Sequence, residues 1–137
     1  MMTLPIRLSP GQDLRKAIEL AVSAQGCEAA FVLSGIGSLA PAFIRFAGAD
    51  QVQRIDGDVE LLAMSGTVSR QGSHLHAALA DPGGRVLGGH LGHGCIVRTT
   101  VELVLLLLRE WTFSRKPDPL TGFNELAIEP RAPETGS

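Results

Sequence analysis

Apolar positions change their spacing close to residue 27. Upstream, Leu14, Ala17, Ile18, Ala21 and Val22 recur at the interval of one helical face, and Gly26 is placed to end the helix. Before it, Leu4 to Leu8 reads as a short strand ending at Ser9-Pro10-Gly11-Gln12. There Ser9 is expected as the N-cap, Pro10 as the first helical residue and Gln12 as the third. From Glu28 onward the chain breaks into short β-rich runs divided by glycine: Ala29 to Gly35, Ala42 to Phe46, Gln51 to Ile55, Val59 to Val68, His74 to Ala80 and Arg85 to His90. Short connections between such runs imply antiparallel pairing. Ile96 to Thr100 and then Val101 to Phe113 fit either a central strand or a buried helix, and the β-branched start with mostly β surroundings favours strand. PDPLTGF is loop-like, NELAI forms a last short element, and residues 129–137 are expected to be a mobile tail. The expected architecture is one α+β domain over residues 4–128, a mainly antiparallel sheet with an N-terminal helix packed on it.

Composition narrows the class. A chain of 137 residues, 45% hydrophobic and 19% charged, buries a core without disulfides or an obligatory structural metal. With no tyrosine, that core rests on Val, Leu, Ile and Ala. A net charge of -2 gives no long-range attraction for phosphate backbones. Cys27 and Cys95 make no C-x-x-C pair, which excludes a zinc ribbon and leaves buried, reduced thiols. The start MMTLPIRLSPGQ lacks the layout of a secretion signal, so a cytoplasmic protein is expected. The run Leu103 to Leu108 is far too short to cross a bilayer.

The chemistry is concentrated in one stretch. All four histidines lie between His74 and His93. His74 and His76, two apart on a strand, project from one face. Asp81-Pro82-Gly83-Gly84 is a turn signal that folds Arg85 to His90 back beside them. His74, His76 and His90 are therefore the candidate metal ligands. Three neutral imidazoles suit a divalent transition metal, zinc above all, and leave a position for water or a small-molecule ligand. His93, in a glycine-flanked loop, is not counted among them. Glu60 and Glu102 are the weak candidates for a carboxylate that takes a proton from metal-bound water, each also able to pair with an arginine or orient a histidine. No general acid, nucleophile or substrate signature accompanies them.

Other motifs have structural explanations. Gly35-Ile36-Gly37-Ser38 lacks both the third glycine of a dinucleotide fingerprint and the Lys-Ser/Thr of a P-loop, and is expected to be a tight strand connection. Gly88-Gly89-His90 suggests close backbone approach, to a neighbouring strand in preference to a ligand. Arg109, Arg115 and Lys116, with Trp111 and Phe113 between them, are the nearest approach to a nucleic-acid surface, but alternating aromatics more commonly fill a core or an interface.

The segment HLHAALADPGGRVLGGHLGHGCIVRTTVELVL resembles the plants-and-prokaryotes conserved (PPC) domain, found alone in bacteria and beside AT-hooks in plant nuclear proteins. The similarity extends to LSPGQDLRKAIE, GIGSL, ELLAMSGTVS and DPLTGFNEL. It implies a compact α+β domain that assembles as a homotrimer and uses His74, His76 and His90 as recurring histidines, with His93 at a variable position. The plant relatives grip the minor groove through an Arg-Gly-Arg-Pro hook outside the domain, which this chain does not contain. DNA is thus a possible partner without support from charge or hook. The resemblance implies an assembly module with a metal site and a DNA-associated or regulatory role; the alternative is a metal-dependent hydrolase or lyase acting on a small molecule.

Overall fold

The computed structural model describes residues 1–132. The strands are β1 (Met2–Leu8), β2 (Ala29–Leu39), β3 (Ala42–Arg45), β4 (Gln53–Ile55), β5 (Val59–Ser69), β6 (Gly72–Ala80), β7 (Val86–Leu91), β8 (Val97–Leu107), β9 (Trp111–Asp118) and β10 (Phe123–Pro130), with one helix, α1 (Leu14–Ala24), between β1 and β2. Eight strands form one sheet in the order β1-β8-β2-β5-β6-β7-β3-β4, and β9 and β10 pair separately as a hairpin. The pairings are antiparallel, as the short connections require.

The helix buries Leu14, Ile18 and Val22, the apolar stripe its sequence spells out. These side chains join one core with Val32, Leu39, Ile44, Leu61, Leu75, Leu79, Leu91, Val97 and Leu105 from the sheet. On β6, Ser73, Leu75, Ala77 and Leu79 face that core and are buried. His74, His76 and Ala78 therefore project from the other face, by the two-residue period of a strand. That outer face is where the β9–β10 hairpin meets β5 and the turn after it: the Arg115 guanidinium donates to Thr67 Oγ1 at 3.1 Å, and the Arg115 N–H donates to Gln71 Oε1 at 2.8 Å.

The structure corrects several expectations. The helix begins at Leu14, not Pro10, and its N-cap is Asp13, whose carboxylate accepts the Lys16 N–H at 3.1 Å. Ser9 and Gln12 instead close a turn, the Ser9 N–H donating to Gln12 Oε1 at 2.8 Å. Gly35 to Ser38 is not a strand connection: it lies within β2, which runs on to Leu39 with register shifts at Val32/Ser34 and Gly37/Leu39. The stretch 96–113 is strand, but it breaks at Leu108-Arg109-Glu110, where the Trp111 N–H turns back to the Leu108 carbonyl at 3.1 Å. Glu129 and Pro130, expected in a tail, pair with Thr112 and Trp111, and the Arg131 N–H donates to the Glu110 carbonyl. Residues 133–137 of that expected tail lie outside the described residues.

Candidate metal centre

Register brings the three histidines together. The Asp81–Gly84 turn, closed by the Gly84 N–H on the Asp81 carbonyl at 2.9 Å, reverses the chain so that His76 on β6 sits opposite His90 on β7. His74 follows on the same face of β6. One candidate ligand atom from each ring lies within 4.8 Å of the other two. His74 Nε2 and His76 Nε2 are 3.1 Å apart, close to the roughly 3.3 Å that separates two nitrogens on a four-coordinate zinc with bonds of about 2.0–2.1 Å. Ring centroids are 4.9 Å apart for His74–His76 and His74–His90, and 5.8 Å for His76–His90. His90 Nδ1 is buried with no hydrogen-bond partner. A buried polar atom of this kind calls for a partner, and a ligand set of imidazole nitrogens suits an ion.

The environment favours the neutral form of two of the rings. Burial, then the neighbouring charges of His74, Arg45, Arg15 and His76, pushes His90 down to about 4. Burial and the charges of His76, Arg115 and Arg15 likewise lower His74, against an opposing contribution from Glu125. Both imidazoles are thus neutral at neutral pH, the state in which they coordinate metals. Cysteine does not contribute: burial raises the Cys95 thiol to about 11, and its sulfur accepts the Phe43 N–H at 3.1 Å.

A second group of residues holds the strands in place. Beyond His76 and His90 the β6–β7 register stops, and Arg15 of α1 reaches into the gap. Its Nη2 donates to the Ser73 carbonyl at 2.7 Å and its Nη1 to the Leu91 carbonyl at 3.2 Å, the residues adjoining His74 and His90. Glu19, one helical turn on, accepts from Arg15 and Ser73, and its Oε2 lies 3.5 Å from His93 Nε2. His93 thus belongs to this support and stands outside the three-histidine group.

A cavity of about 450 Å³ opens beside His74 and His90, lined also in part by Arg15, Arg45, Arg115 and Glu125. Glu60, opposite Ala80 on β5, and Glu102, opposite Arg7 on β8, do not line it. The carboxylate found there is Glu125 of β10, which the sequence reading did not single out, and no local signal marks it. The supposed basic cluster disperses: Arg109 donates to the Gln25 carbonyl at 2.8 Å, Lys116 pairs with Glu129, and only Arg115 turns toward the histidines. Trp111 remains 40% exposed whereas Phe113 is buried. Gly88 and Gly89 pack against backbone, the first toward the Ala77 carbonyl and the second toward that of Arg45.

Relatives share both sequence and shape. A chain from Salmonella cholerae-suis superposes with a TM-score of 0.92 at 38% identity, covering 96% of this chain and 95% of that one. A protein from Archaeoglobus fulgidus described as metal-containing gives 0.79 at 29% identity, over 93% and 94% of the two chains. A plant- and prokaryote-conserved protein from Pyrococcus horikoshii gives 0.77 at 30% identity, over 90% of each. Among curated sequences, the bifunctional protein GlmU of Synechococcus sp. (strain JA-3-3Ab) is 47% identical over 131 residues, but the chain spans only 21% of its length. The AT-hook motif nuclear-localized protein 9 of Arabidopsis thaliana is 30% identical over 109 residues, 31% of its length. The profile of the Plants and Prokaryotes Conserved (PCC) domain matches residues 1–109, and the chain belongs to that family.

Proposed function

We propose that this domain is a metal-binding assembly module in which His74, His76 and His90 hold one divalent transition metal, zinc first, within a homotrimer of regulatory, DNA-associated role. The observation that carries the reading is the convergence of three imidazoles, with ligand atoms inside 4.8 Å, on the sheet face away from the core. Such a donor set on a neutral-pH site favours zinc and its neighbours over the oxygen-seeking ions. The similarity to a metal-containing archaeal protein supports it. Trimerisation is supported by Phe31, Leu33, Ile36 and Leu62, large apolar side chains left exposed on β2 and β5. The DNA association rests on kinship with the AT-hook protein. When bound, a zinc with three protein ligands supplies a position for water or a ligand and makes that water more acidic.

Metal analysis of untagged protein tests the centre. One equivalent per chain is expected in wild type, and much less in His74→Ala and His90→Ala. Equal content in all three would overturn it. Light scattering tests the trimer.

A second reading, a metal-dependent hydrolase or lyase, is favoured by the cavity that adjoins the rings and carries the Glu125 carboxylate. Turnover of small esters or hydroxy acids that disappears in both Glu125→Gln and His90→Ala would establish it.

A further inference from the structure

Two arginines flank the histidines on the same sheet face. One register row crosses four strands as Ser65, His76, His90 and Arg45, and the next pairs Thr67 with His74. Arg45 thus sits directly beside His90. Arg115 descends from the hairpin onto Thr67, which places its guanidinium beside His74 on the opposite flank. Both arginine residues are half-buried.

Their donors are largely unspent. Among the described residues the Arg45 side chain makes one hydrogen bond, a long 3.3 Å contact from Nη1 to the Ala49 carbonyl, and the Arg115 side chain makes one, to Thr67. Among the described residues neither has a carboxylate within ion-pair distance, in contrast to Arg15, which is paired with Glu19. A guanidinium carries five N–H donors in a planar fork suited to carboxylate or phosphate oxygens. Among the described residues the one carboxylate lining the cavity, Glu125, already accepts from Thr121 Oγ1 at 3.0 Å. Arg45 and Arg115 against Glu125 leave positive charge in excess, and a divalent ion on three neutral imidazoles adds more. Half-buried charge of one sign is stabilised by an ion of the other. The volume suits a small molecule and not a macromolecular strand.

We propose that the cavity beside the three histidines is the binding site for a small oxyanion, a carboxylate or a phosphate compound, clamped by Arg45 and Arg115 with one oxygen directed at the metal position. The proposal rests on the metal reading above. It gives Arg45 and Arg115 a task in ligand specificity that a purely structural metal centre would not require.

Cobalt-loaded protein provides the test, because the visible bands of a bound cobalt ion respond to exchange of its open-position ligand. Cobalt content is measured first; malonate and inorganic phosphate are then titrated separately, following absorbance and heat. Saturable band shifts with one or both probes are expected, and the stronger probe identifies the source chemistry. Arg45→Gln and Arg115→Gln should retain cobalt but bind the stronger probe about tenfold or more weakly. Arg54→Gln, outside the cavity, should match wild type, and melting curves confirm that each variant is folded. Should either cavity variant unfold, the corresponding Arg→Lys variant replaces it, with weaker probe binding again expected. Cobalt bound with neither probe shifting the bands or releasing heat would overturn the oxyanion site and leave the metal centre standing. Unchanged probe affinity in both arginine variants would likewise overturn it. Failure to take up cobalt would remove the metal reading and this proposal together.

Discussion

Glu19 Oε1 accepts two hydrogen bonds from Ser73, one from its N–H at 3.0 Å and one from its hydroxyl at 2.6 Å. Ser73 is buried and directly precedes His74, so a carboxylate on α1 fixes where β6 presents its first candidate ligand. Glu19→Ala leaves two buried donors of Ser73 without an acceptor and is expected to cost about 2–3 kcal/mol in urea unfolding. Glu19→Gln, which keeps an acceptor oxygen, should cost less than half as much. Metal affinity should fall about 10–100-fold in the alanine variant, the scale seen when outer partners of metal ligands are lost.

The same carboxylate makes stability depend on pH. Burial acts to raise its pKa, but hydrogen bonds from the Ser73 side chain and backbone, Arg15 and His93 outweigh burial and hold it below the ordinary glutamate value. A carboxyl more acidic in the folded than in the unfolded chain stabilises the fold fully above its unfolded pKa and loses that contribution as pH falls through the folded one. The Glu19 contribution to the stability of metal-free protein should therefore fall away from about pH 5 downward, beyond the loss that neutral-held His74 and His90 already impose at higher pH. Over the same range Glu19→Gln should show a shallower decline. Parallel curves for the two proteins would contradict this origin.

Arg15 closes the gap where β6 and β7 part, by bonding the carbonyls of Ser73 and Leu91 with two different nitrogens. A lysine offers a compact ammonium that cannot span both carbonyls with fork geometry. Arg15→Lys is expected to keep the fold yet lower metal affinity about tenfold, since His74 and His90 lose their common brace. Competition with a chromophoric chelator measures this directly.

What the chain reveals locally and what it hides follow from the same distinction. The helical stripe Leu14–Ile18–Val22, the H-x-H spacing and the Asp81–Gly84 turn are short-range patterns, and each determines where its own side chains point. Counting outward from the turn therefore suffices to set His90 beside His76. The start of α1 is different. Asp13 Oδ2 also accepts the Gly94 N–H at 2.7 Å, so a contact across 81 positions helps choose the cap over the nearer Ser9-Pro10 signal. The place of Arg45, Arg115 and Glu125 at the cavity is hidden for a similar reason: β3 and the hairpin reach it only through tertiary packing, and nothing near them in sequence indicates a histidine. The break at Leu108 has no sequence signal, because VELVLLLL runs on to the turn itself.

Gly89 shows how closely β3 and β7 must approach beside His90. A Cβ at this position would lie 2.5 Å from the Arg45 carbonyl oxygen and 3.1 Å from Ile44 Cγ2. The first neighbour is backbone and cannot rotate away, so Gly89→Ala has to push β3 off β7. Such overpacking costs about 1–3 kcal/mol, and it displaces Arg45 from His90, its register partner. The variant is expected to unfold at lower urea, and to lose oxyanion affinity by a larger factor than metal affinity, because His74 and His76 stand on β6 and are not moved. Gly83→Ala supplies the contrast: its Cβ would meet only Asp81 Oδ1, at 3.3 Å, on an exposed turn. A change within about 0.5 kcal/mol is expected there. If both alanine variants unfold at the same urea concentration, the close strand approach at Gly89 is not what holds this edge of the site.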